Sequence, residues 1–246
     1  MRLSIVAAVA FAALVATPSA AQSVPRAPDG KPDLSGIWHA VNTAAWNILP
    51  HAAEPDLPAG LGVVEGNEIP YTPAAAARQR ENYANRATAD PVNKCFLPGV
   101  PRANYMGYPF QIVQTPNQIT ILYEYAHAVR NVFMNVPHPK GPIEWWMGDS
   151  RGKWDGDTLV VDVMHFNDQT WFDKAGNHHS EALHLIERYT PTDRDHMQYE
   201  VTIEDPKVFT RPWKMSMPLY RRIERNMQIL DYECTAFDEA LRESAR

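Results

Sequence analysis

A polar segment between residues 172 and 181 holds the side chains best suited to transfer protons. It carries two consecutive histidines, His178 and His179, a serine hydroxyl, and the carboxylates of Asp173 and Glu181. An imidazole titrates near neutral pH, so it can both accept and donate a proton. We therefore predict that one of these histidines is a catalytic base and that Asp173 fixes its tautomer. The alternative is a structural role, in which a histidine hydrogen-bonds to a backbone carbonyl and holds the segment in place.

Two glutamates, Glu124 and Glu187, each end a row of alternate residues that contains leucines on a predicted strand. Alternate residues of a strand face the same side, and in a barrel one side is the interior. Desolvation in an interior raises the pKa of a carboxylate and suits it to acid–base catalysis. We predict both glutamates as catalytic residues. The alternative is that they lie at the barrel rim, or that each pairs with an arginine such as Arg130 or Arg188.

Other residues are candidates for binding a small molecule. We predict that Arg130 or Tyr108 stabilises negative charge that develops on a substrate. Trp146 belongs to a set of tryptophans and tyrosines that could line a pocket for a flat or apolar molecule. His165 leaves the end of a strong strand, and in a regular meander this end is close to the histidine segment. The alternative for the aromatic residues is a place in the hydrophobic core.

We predict no metal and no organic cofactor. His178, His179 and Glu181, with His165 or Asp173, are suitable ligand types. However, adjacent histidines on a strand face opposite sides, and neither HExxH nor HxH spacing occurs. The sequence also lacks a P-loop, GxGxxG and CxxC. These absences argue against an NTP-dependent enzyme, a nicotinamide enzyme and a thioredoxin-like protein.

Residues 1–21 match the pattern of a secretory signal peptide. Arg2 precedes an apolar run that is too short to span a bilayer, and small residues come before the predicted cleavage site. We expect a periplasmic or secreted protein with no membrane anchor after cleavage; the alternative is an uncleaved anchor or a buried helix. Because exported proteins meet an oxidising compartment, Cys95 and Cys234 are predicted to form a disulfide rather than to remain free thiols. The net charge of −6 and the scattered basic residues argue against a nucleic-acid partner.

The periodicity of the sequence predicts a single, mainly β domain over residues 22–246. Residues 22–109 are predicted to be mostly loops, with a first strand and a helix over Pro73–Asn85. Residues 110–236 alternate between β-rich runs and turn signals, including an Asp-Gly pair that favours a tight hairpin. The strands predicted after the first are 110–115, 118–125, 129–135, 143–147, 152–154, 157–163, 182–189, 197–203, 213–222 and 227–234. We expect an antiparallel meander closed as a barrel, followed by a short helix over Phe237–Arg246.

Two resemblances extend this picture. Gly36-Ile37-Trp38 resembles the Gly-x-Trp start of lipocalins and other calycins, in which the tryptophan closes one end of the barrel. The chain is also similar to a large family of exported bacterial proteins, and this resemblance implies an exported, single-domain, barrel-like protein without implying an activity. In its pattern the second histidine, followed by serine, is the more constant, which favours His179 as the catalytic base. The matching segments are DLSGIW (33–38), CFLPGVPR (95–102), QTPNQITILYE (114–124) with Arg130, GDSRGKWDGDTLVVD (148–162), GNHHSEALHLIER (176–188), TIEDP (202–206) and RPW (211–213).

Two functions are compatible with these residues. The first is a cofactor-independent enzyme that catalyses an elimination, isomerisation or cyclisation of a small, largely apolar or aromatic molecule in a barrel pocket, because such reactions need only an acid and a base. The second is a periplasmic carrier that binds a hydrophobic small molecule without converting it, and a structural envelope protein is a third alternative. We favour the enzyme, because His179, the two glutamates and Arg130 exceed what lipophilic carriage needs.

Overall fold

The structure is a computed structural model that describes residues 23–55, 57–232 and 234. The predicted signal peptide and the predicted C-terminal helix lie outside these residues. The described chain is mostly β, and its nine strands close into one barrel in sequence order, which confirms the predicted fold class. The strands are β1 (Gly36–Ala40), β2 (Phe110–Gln114), β3 (Gln118–Tyr123), β4 (Val129–Met134), β5 (Asp149–Asp155), β6 (Thr158–Met164), β7 (His184–Pro191), β8 (His196–Glu204) and β9 (Trp213–Arg221).

One strand pair departs from the predicted antiparallel meander. β4 and β5 run parallel, whereas every other neighbouring pair, including β1 with β9, is antiparallel. A closed ring with an odd number of strands cannot alternate direction all the way round, so at least one neighbouring pair must be parallel. A parallel pair needs a connection that returns along the barrel. Residues 135–148, which we call the crossover, make that return from the end of β4 to the start of β5.

Two of the predicted strands are wrong. Residues 143–147 lie in the crossover and form only an isolated bridge, between Trp145 and Phe166. The described part of 227–234 follows β9 and likewise forms only an isolated bridge, between Tyr232 and Tyr125. Because β1 and β9 already close the sheet, neither segment finds a free edge to extend.

Side chains fill the interior of the barrel. Along each strand inward-facing residues alternate with outward-facing ones, so β7 directs Leu185, Glu187 and Tyr189 inward and β3 directs Ile121 and Tyr123 inward. These residues pack in one continuous core with aliphatic and aromatic side chains from the other strands. The ligand pocket that the sequence led us to expect inside the barrel is therefore replaced by packed side chains around Glu187.

One end of the barrel carries most of the irregular chain. β1, β6 and β8 all end there, so the segments 41–109, 165–183 and 205–212 all start from this end. At the opposite end the connections between consecutive strands are short, apart from the crossover, which starts there after β4. The histidine segment therefore lies beside the long N-terminal segment.

A helix fastens the histidine segment to this end. α1 (Pro73–Ala84) matches the predicted helix closely, and it begins after Thr72, whose hydroxyl accepts a hydrogen bond from the Ala75 N–H at 3.3 Å. The Asn82 side chain donates to the Gly176 carbonyl at 3.1 Å. Gly176 has φ +81°, and a Cβ there would lie 2.6 Å from the Cβ of Asn82, so only glycine permits this contact. A four-residue helix, α2 (Arg86–Ala89), and three short 3-10 turns complete the helical structure of the described residues.

The predicted disulfide between Cys95 and Cys234 is present, with the two Cα atoms 5.6 Å apart. It joins the segment after β9 to the long N-terminal segment across a sequence separation of 139. Among the helices of the described chain, none is both long and apolar enough to cross a membrane.

Candidate functional site

A cleft of about 580 Å³ opens at the loop-rich end of the barrel, beside the disulfide. Three of its lining residues are Tyr108, Tyr125 and Tyr232, and we call it the tyrosine cleft. The ring centroids of Tyr108 and Tyr232 lie 4.8 Å apart, those of Tyr125 and Tyr232 5.4 Å, and those of Tyr108 and Tyr125 5.7 Å. Such distances are typical of interacting aromatic pairs. Tyr108, a predicted binding residue, thus belongs to an aromatic wall.

The fold brings these three tyrosines together from distant parts of the chain. Tyr108 precedes β2 and Tyr125 follows β3, and these two strands are antiparallel neighbours. Tyr232 reaches them through its bridge to Tyr125, and Cys234 ties this part of the chain to Cys95. Burial raises the pKa of Tyr125 to about 12 and raises that of Tyr108 above its ordinary value. Both phenols therefore keep their protons at neutral pH, and the Tyr125 hydroxyl donates to the Val92 carbonyl at 3.0 Å.

A buried ion pair forms the polar side of the tyrosine cleft. The Nη1 and Nη2 atoms of Arg102 donate to the two carboxylate oxygens of Asp90 at 2.8 and 2.7 Å. Burial lowers the pKa of Arg102, but the hydrogen bond and charge of Asp90 outweigh it and raise the pKa above its ordinary value. At another part of the lining, the Lys174 ammonium lies 4.7 Å from the centroid of the Trp46 ring. The cleft therefore combines aromatic faces with fixed charges.

A second cavity, of about 280 Å³, lies beside the predicted catalytic segment. Its lining includes His178, His179, Asp168, Arg78 and Lys207, and we call it the histidine cavity. Most of these side chains are polar or charged. The two cavities therefore suit different ligands: a flat aromatic molecule in the first and a small polar molecule in the second.

The ring of His179 is fixed by both of its nitrogens. Nδ1 lies 2.8 Å from the Ser180 carbonyl oxygen, and Nε2 lies 2.7 Å from the Thr170 hydroxyl. A carbonyl oxygen only accepts, so Nδ1 carries the proton and Nε2 accepts from Thr170. Burial lowers the pKa of His179, which keeps the imidazole neutral and able to act as a base. The contact of Nδ1 with the Ser180 carbonyl also fits the alternative predicted from the sequence, in which a histidine bonds to a backbone carbonyl and holds the segment in place.

His178 is buried in a different way from its neighbour. Its ring stacks on that of Tyr71, with centroids 5.7 Å apart. Burial lowers the pKa of His178 to about 4, so the ring is neutral at neutral pH. Its Nδ1 has no hydrogen-bond partner within the described residues.

Asp173 does not fix the tautomer of His179, so this expectation is wrong. Its carboxylate instead accepts from the backbone N–H of Ile48 at 2.9 Å, from the backbone N–H of Asn177 at 3.1 Å, and from the Asn177 amide at 2.6 Å. Burial outweighs these hydrogen bonds and raises the pKa of Asp173 to about 6. The carboxyl group holds the turn 173–177 against the segment that contains Ile48.

Glu187 lies in the barrel core and pairs with Arg130, another predicted site residue. Arg130 Nη2 bonds to Glu187 Oε2, Nη1 lies 3.2 Å from Oε1, and Nε donates to the Ser150 hydroxyl at 2.8 Å. Tyr199 and Asn104 also donate to Glu187 Oε1, at 2.8 and 3.1 Å. Burial lowers the pKa of Arg130, but the attraction of Glu187 outweighs it and raises the pKa well above its ordinary value. Glu187 is 0% exposed and lines neither cavity.

Glu124 faces away from Glu187, so the expectation that both carboxylates share the barrel interior is wrong. On β3 the buried row is Ile119, Ile121 and Tyr123, which puts Glu124 in the outward row just after the strand. There its carboxylate accepts a hydrogen bond from the Leu230 N–H at 2.9 Å. Glu124 therefore has no partner among the core residues with which it was predicted to act in catalysis.

His165 and Trp146 line neither cavity. The ring centroid of His165 lies 5.9 Å from that of His138 in the crossover. Trp146 packs against Phe96, with ring centroids 5.1 Å apart. The binding roles predicted for these two residues stay predictions, and they do not share a site with Tyr108.

Sequence reasoning missed several residues around both cavities, including Thr170, Tyr125 and the Asp90–Arg102 pair. Only Tyr232 had a usable signal, because the predicted disulfide places the residues before Cys234 near Cys95. Within the described part of the chain, no three histidine, cysteine, aspartate or glutamate residues form a group that could hold a metal ion.

Comparison with protein-family models, with curated proteins and with solved structures found no match to this chain.

Proposed function

We propose that the protein binds a small, flat, largely aromatic molecule in the tyrosine cleft. The observation that carries this proposal is the cluster of three tyrosine rings, with centroids 4.8 to 5.7 Å apart, in a cleft of about 580 Å³. That volume lies within the usual range for small-molecule sites. This function corresponds to the carrier, which was the alternative to the favoured enzyme in the sequence-based prediction, with the site at the end of the barrel rather than in its interior.

The lining of the cleft suggests the chemical class of the ligand. The faces of Tyr108, Tyr125 and Tyr232 favour offset or edge-to-face contacts with another ring. Phenol hydroxyls and the Asp90–Arg102 pair supply polar partners at the same cleft. A ring that carries a hydroxyl or carboxylate group satisfies both parts of the lining, whereas a long aliphatic chain satisfies neither.

Binding of 2-naphthoate, followed by isothermal titration calorimetry, tests this proposal. Tyr108→Leu keeps apolar volume but removes one aromatic face, which contributes about 0.5–1.5 kcal/mol and so corresponds to an affinity loss of about 2- to 12-fold. Tyr220→Leu is the matched control, because Tyr220 lies on β9 near the opposite barrel end. Equal affinity of the two variants, or no binding by the wild type at millimolar concentration, would contradict the proposal.

A second candidate function, proton transfer by His179, is favoured by one specific observation. Its imidazole is neutral, its Nδ1 is held by the Ser180 carbonyl, and its Nε2 lies 2.7 Å from the Thr170 hydroxyl. A base that is oriented by a third group and bonded to a hydroxyl is the arrangement that activates an oxygen nucleophile or relays a proton. The substrate of this reaction would be a small polar molecule in the histidine cavity.

Conversion of compounds from the source organism tests this second function. A fraction of small polar metabolites is incubated with wild type, His179→Gln and His196→Gln, and the products are compared by mass spectrometry. His196 is the control, because it is an exposed histidine at the opposite barrel end. Conversion by wild type and His196→Gln, but not by His179→Gln, is expected. Identical product profiles for all three proteins would refute a catalytic His179.

A further inference from the structure

A chain of alternating histidines and carboxylates runs across the outside of the barrel, apart from both cavities. His138 Nδ1 lies 2.6 Å from Asp149 Oδ2, and its Nε2 lies 3.0 Å from Asp162 Oδ1. The same Asp162 oxygen lies 3.0 Å from His184 Nε2, while His184 Nδ1 lies 3.4 Å from Glu204 Oε2. We call these five residues the histidine–carboxylate chain. It links the crossover to β5, β6, β7 and β8.

The hydrogen-bond chemistry of this chain requires protons. An ionised carboxylate is only an acceptor, and a neutral imidazole has only one N–H. Because both nitrogens of His138 and both of His184 face carboxylate oxygens, all four contacts are hydrogen bonds only when each ring carries two protons. If His138 loses one of its two ring protons, the nitrogen that carried it presents a lone pair to a carboxylate oxygen, and that contact is no longer a hydrogen bond.

The charges around the chain also balance only when both rings are protonated. The groups that face His138 are Asp149 on β5 and Asp162 on β6, with the ring of His165 5.9 Å away. Arg151 on β5 binds Asp149 at 2.6 and 2.7 Å. Burial raises the pKa of Asp149, but the bonds from Arg151 and His138 outweigh it and lower the pKa.

The groups that face His184 are Asp162 on β6 and Glu204 on β8. Across the whole chain, three carboxylates therefore meet one guanidinium and two imidazoles. Two imidazolium charges bring the sum to zero, whereas two neutral rings leave an excess of two negative charges.

His138 is the member of the histidine–carboxylate chain that lies in the crossover. It is half-buried, whereas residues 135–137 and 140–145 of the crossover are exposed. Near the two ends of the crossover, the Asn135 N–H donates to the Gly152 carbonyl at 2.8 Å, and the Trp145 N–H donates to the His165 carbonyl at 2.8 Å. Towards β5 the Asn167 N–H also donates to the Trp145 carbonyl at 3.2 Å, and Met147 is buried in the core. His138 is therefore the attachment of the middle part of the crossover. We propose that protonation of the histidine–carboxylate chain fastens the crossover to the barrel and that deprotonation loosens it, which makes this segment a pH-sensitive strap.

Amide hydrogen exchange of Asn135 and Trp145, measured by NMR on the whole protein and corrected for intrinsic exchange rates, tests the proposal. Histidine as a residue type changes charge between about pH 5 and 8, so pH 5.5 and pH 8.0 are compared. For the wild type we expect at least about tenfold higher protection of both amides at pH 5.5, which corresponds to roughly 1.4 kcal/mol. Equal protection at the two pH values would overturn the proposal.

Variants separate the chain from general effects of pH. In His138→Gln the difference between the two pH values is expected to disappear, with protection close to that of the wild type at pH 8.0. His196→Gln, which removes an exposed histidine paired with Asp193, should keep the full difference. If His138→Gln does not fold, Asp162→Asn removes the charge that both rings share, and a difference below threefold is expected. If the variant tested keeps the full difference in amide protection between the two pH values, the proposal is refuted.

Discussion

Replacing Glu187 by glutamine tests whether this residue is a structural partner or a free catalytic group. In the structure Glu187 is fully buried and accepts hydrogen bonds from Arg130, Tyr199, Asn104 and Tyr189. Glutamine keeps the volume and one acceptor oxygen, but it places an amide donor against Arg130 Nη2. The guanidinium then remains buried without a counter-charge, which costs about 3–5 kcal/mol in comparable sites.

A double-mutant cycle with Arg130→Met measures the interaction energy between Glu187 and Arg130. Each single change leaves one buried charge unmatched, whereas the double variant removes both charges. The double variant should therefore be more stable than the sum of the single costs predicts, by at least about 2 kcal/mol. The free energy of unfolding is measured by guanidinium titration with the disulfide intact. Glu200→Gln, on the outward side of β8, is the control and should change stability by less than about 0.5 kcal/mol.

The result also bears on function. A loss below about 1 kcal/mol for Glu187→Gln, within the ordinary range for a surface substitution, or additive single costs would refute the ion pair as the role of this carboxylate. Glu187 would then return to the list of candidate acids. A loss of the expected size, with unchanged ligand binding in the tyrosine cleft, assigns Glu187 to the barrel core.

Three further predictions follow from single contacts. Removing the Cys95–Cys234 disulfide by a double serine substitution should lower the free energy of unfolding by about 4–5 kcal/mol in the chain-entropy limit, measured by denaturant titration; a loss below about 1 kcal/mol would contradict it. Because the pKa of His178 is about 4 in the folded protein and about 6.5 when unfolded, the unfolded chain binds the proton first, and His178 should cost about 2–3 kcal/mol of stability as pH falls from 6.5 to 4. Asp173 acts in the opposite direction, because its pKa is raised to about 6 and its contribution to stability is lost as pH rises through that value. The difference in the free energy of unfolding between wild type and His178→Phe therefore isolates His178. Identical pH profiles of the two proteins would contradict the prediction. Gly99→Ala, whose Cβ would lie 2.5 Å from the Thr170 hydroxyl at φ +71°, should cost about 2–4 kcal/mol from strain and overpacking, and an unchanged melting temperature would contradict it.

Local patterns predicted much of the architecture. The proline after Thr72 and the run of alanines fixed the start and type of α1, and alternation placed Leu185 in the barrel core. The disulfide followed from the expected compartment rather than from local sequence. Along β3, however, either of two alternating rows of side chains could face the core. The prediction that the row ending at Glu124 faces inward was wrong. The other row, Ile119, Ile121 and Tyr123, buries more apolar surface and therefore faces inward.

The sequence by itself determined the class of fold, most strand positions, the helix and the residue types available for chemistry. These properties depend on interactions between residues close in the chain, such as side-chain alternation, turns and caps. Only the tertiary structure decided which side chains meet: Glu187 with Arg130, Tyr232 with Tyr108, and His138 with Asp162. Such pairs depend on strand register, on the position of the parallel pair and on the path of long connections. A shift of one residue reverses the face that each strand presents, so composition and spacing alone cannot specify these contacts.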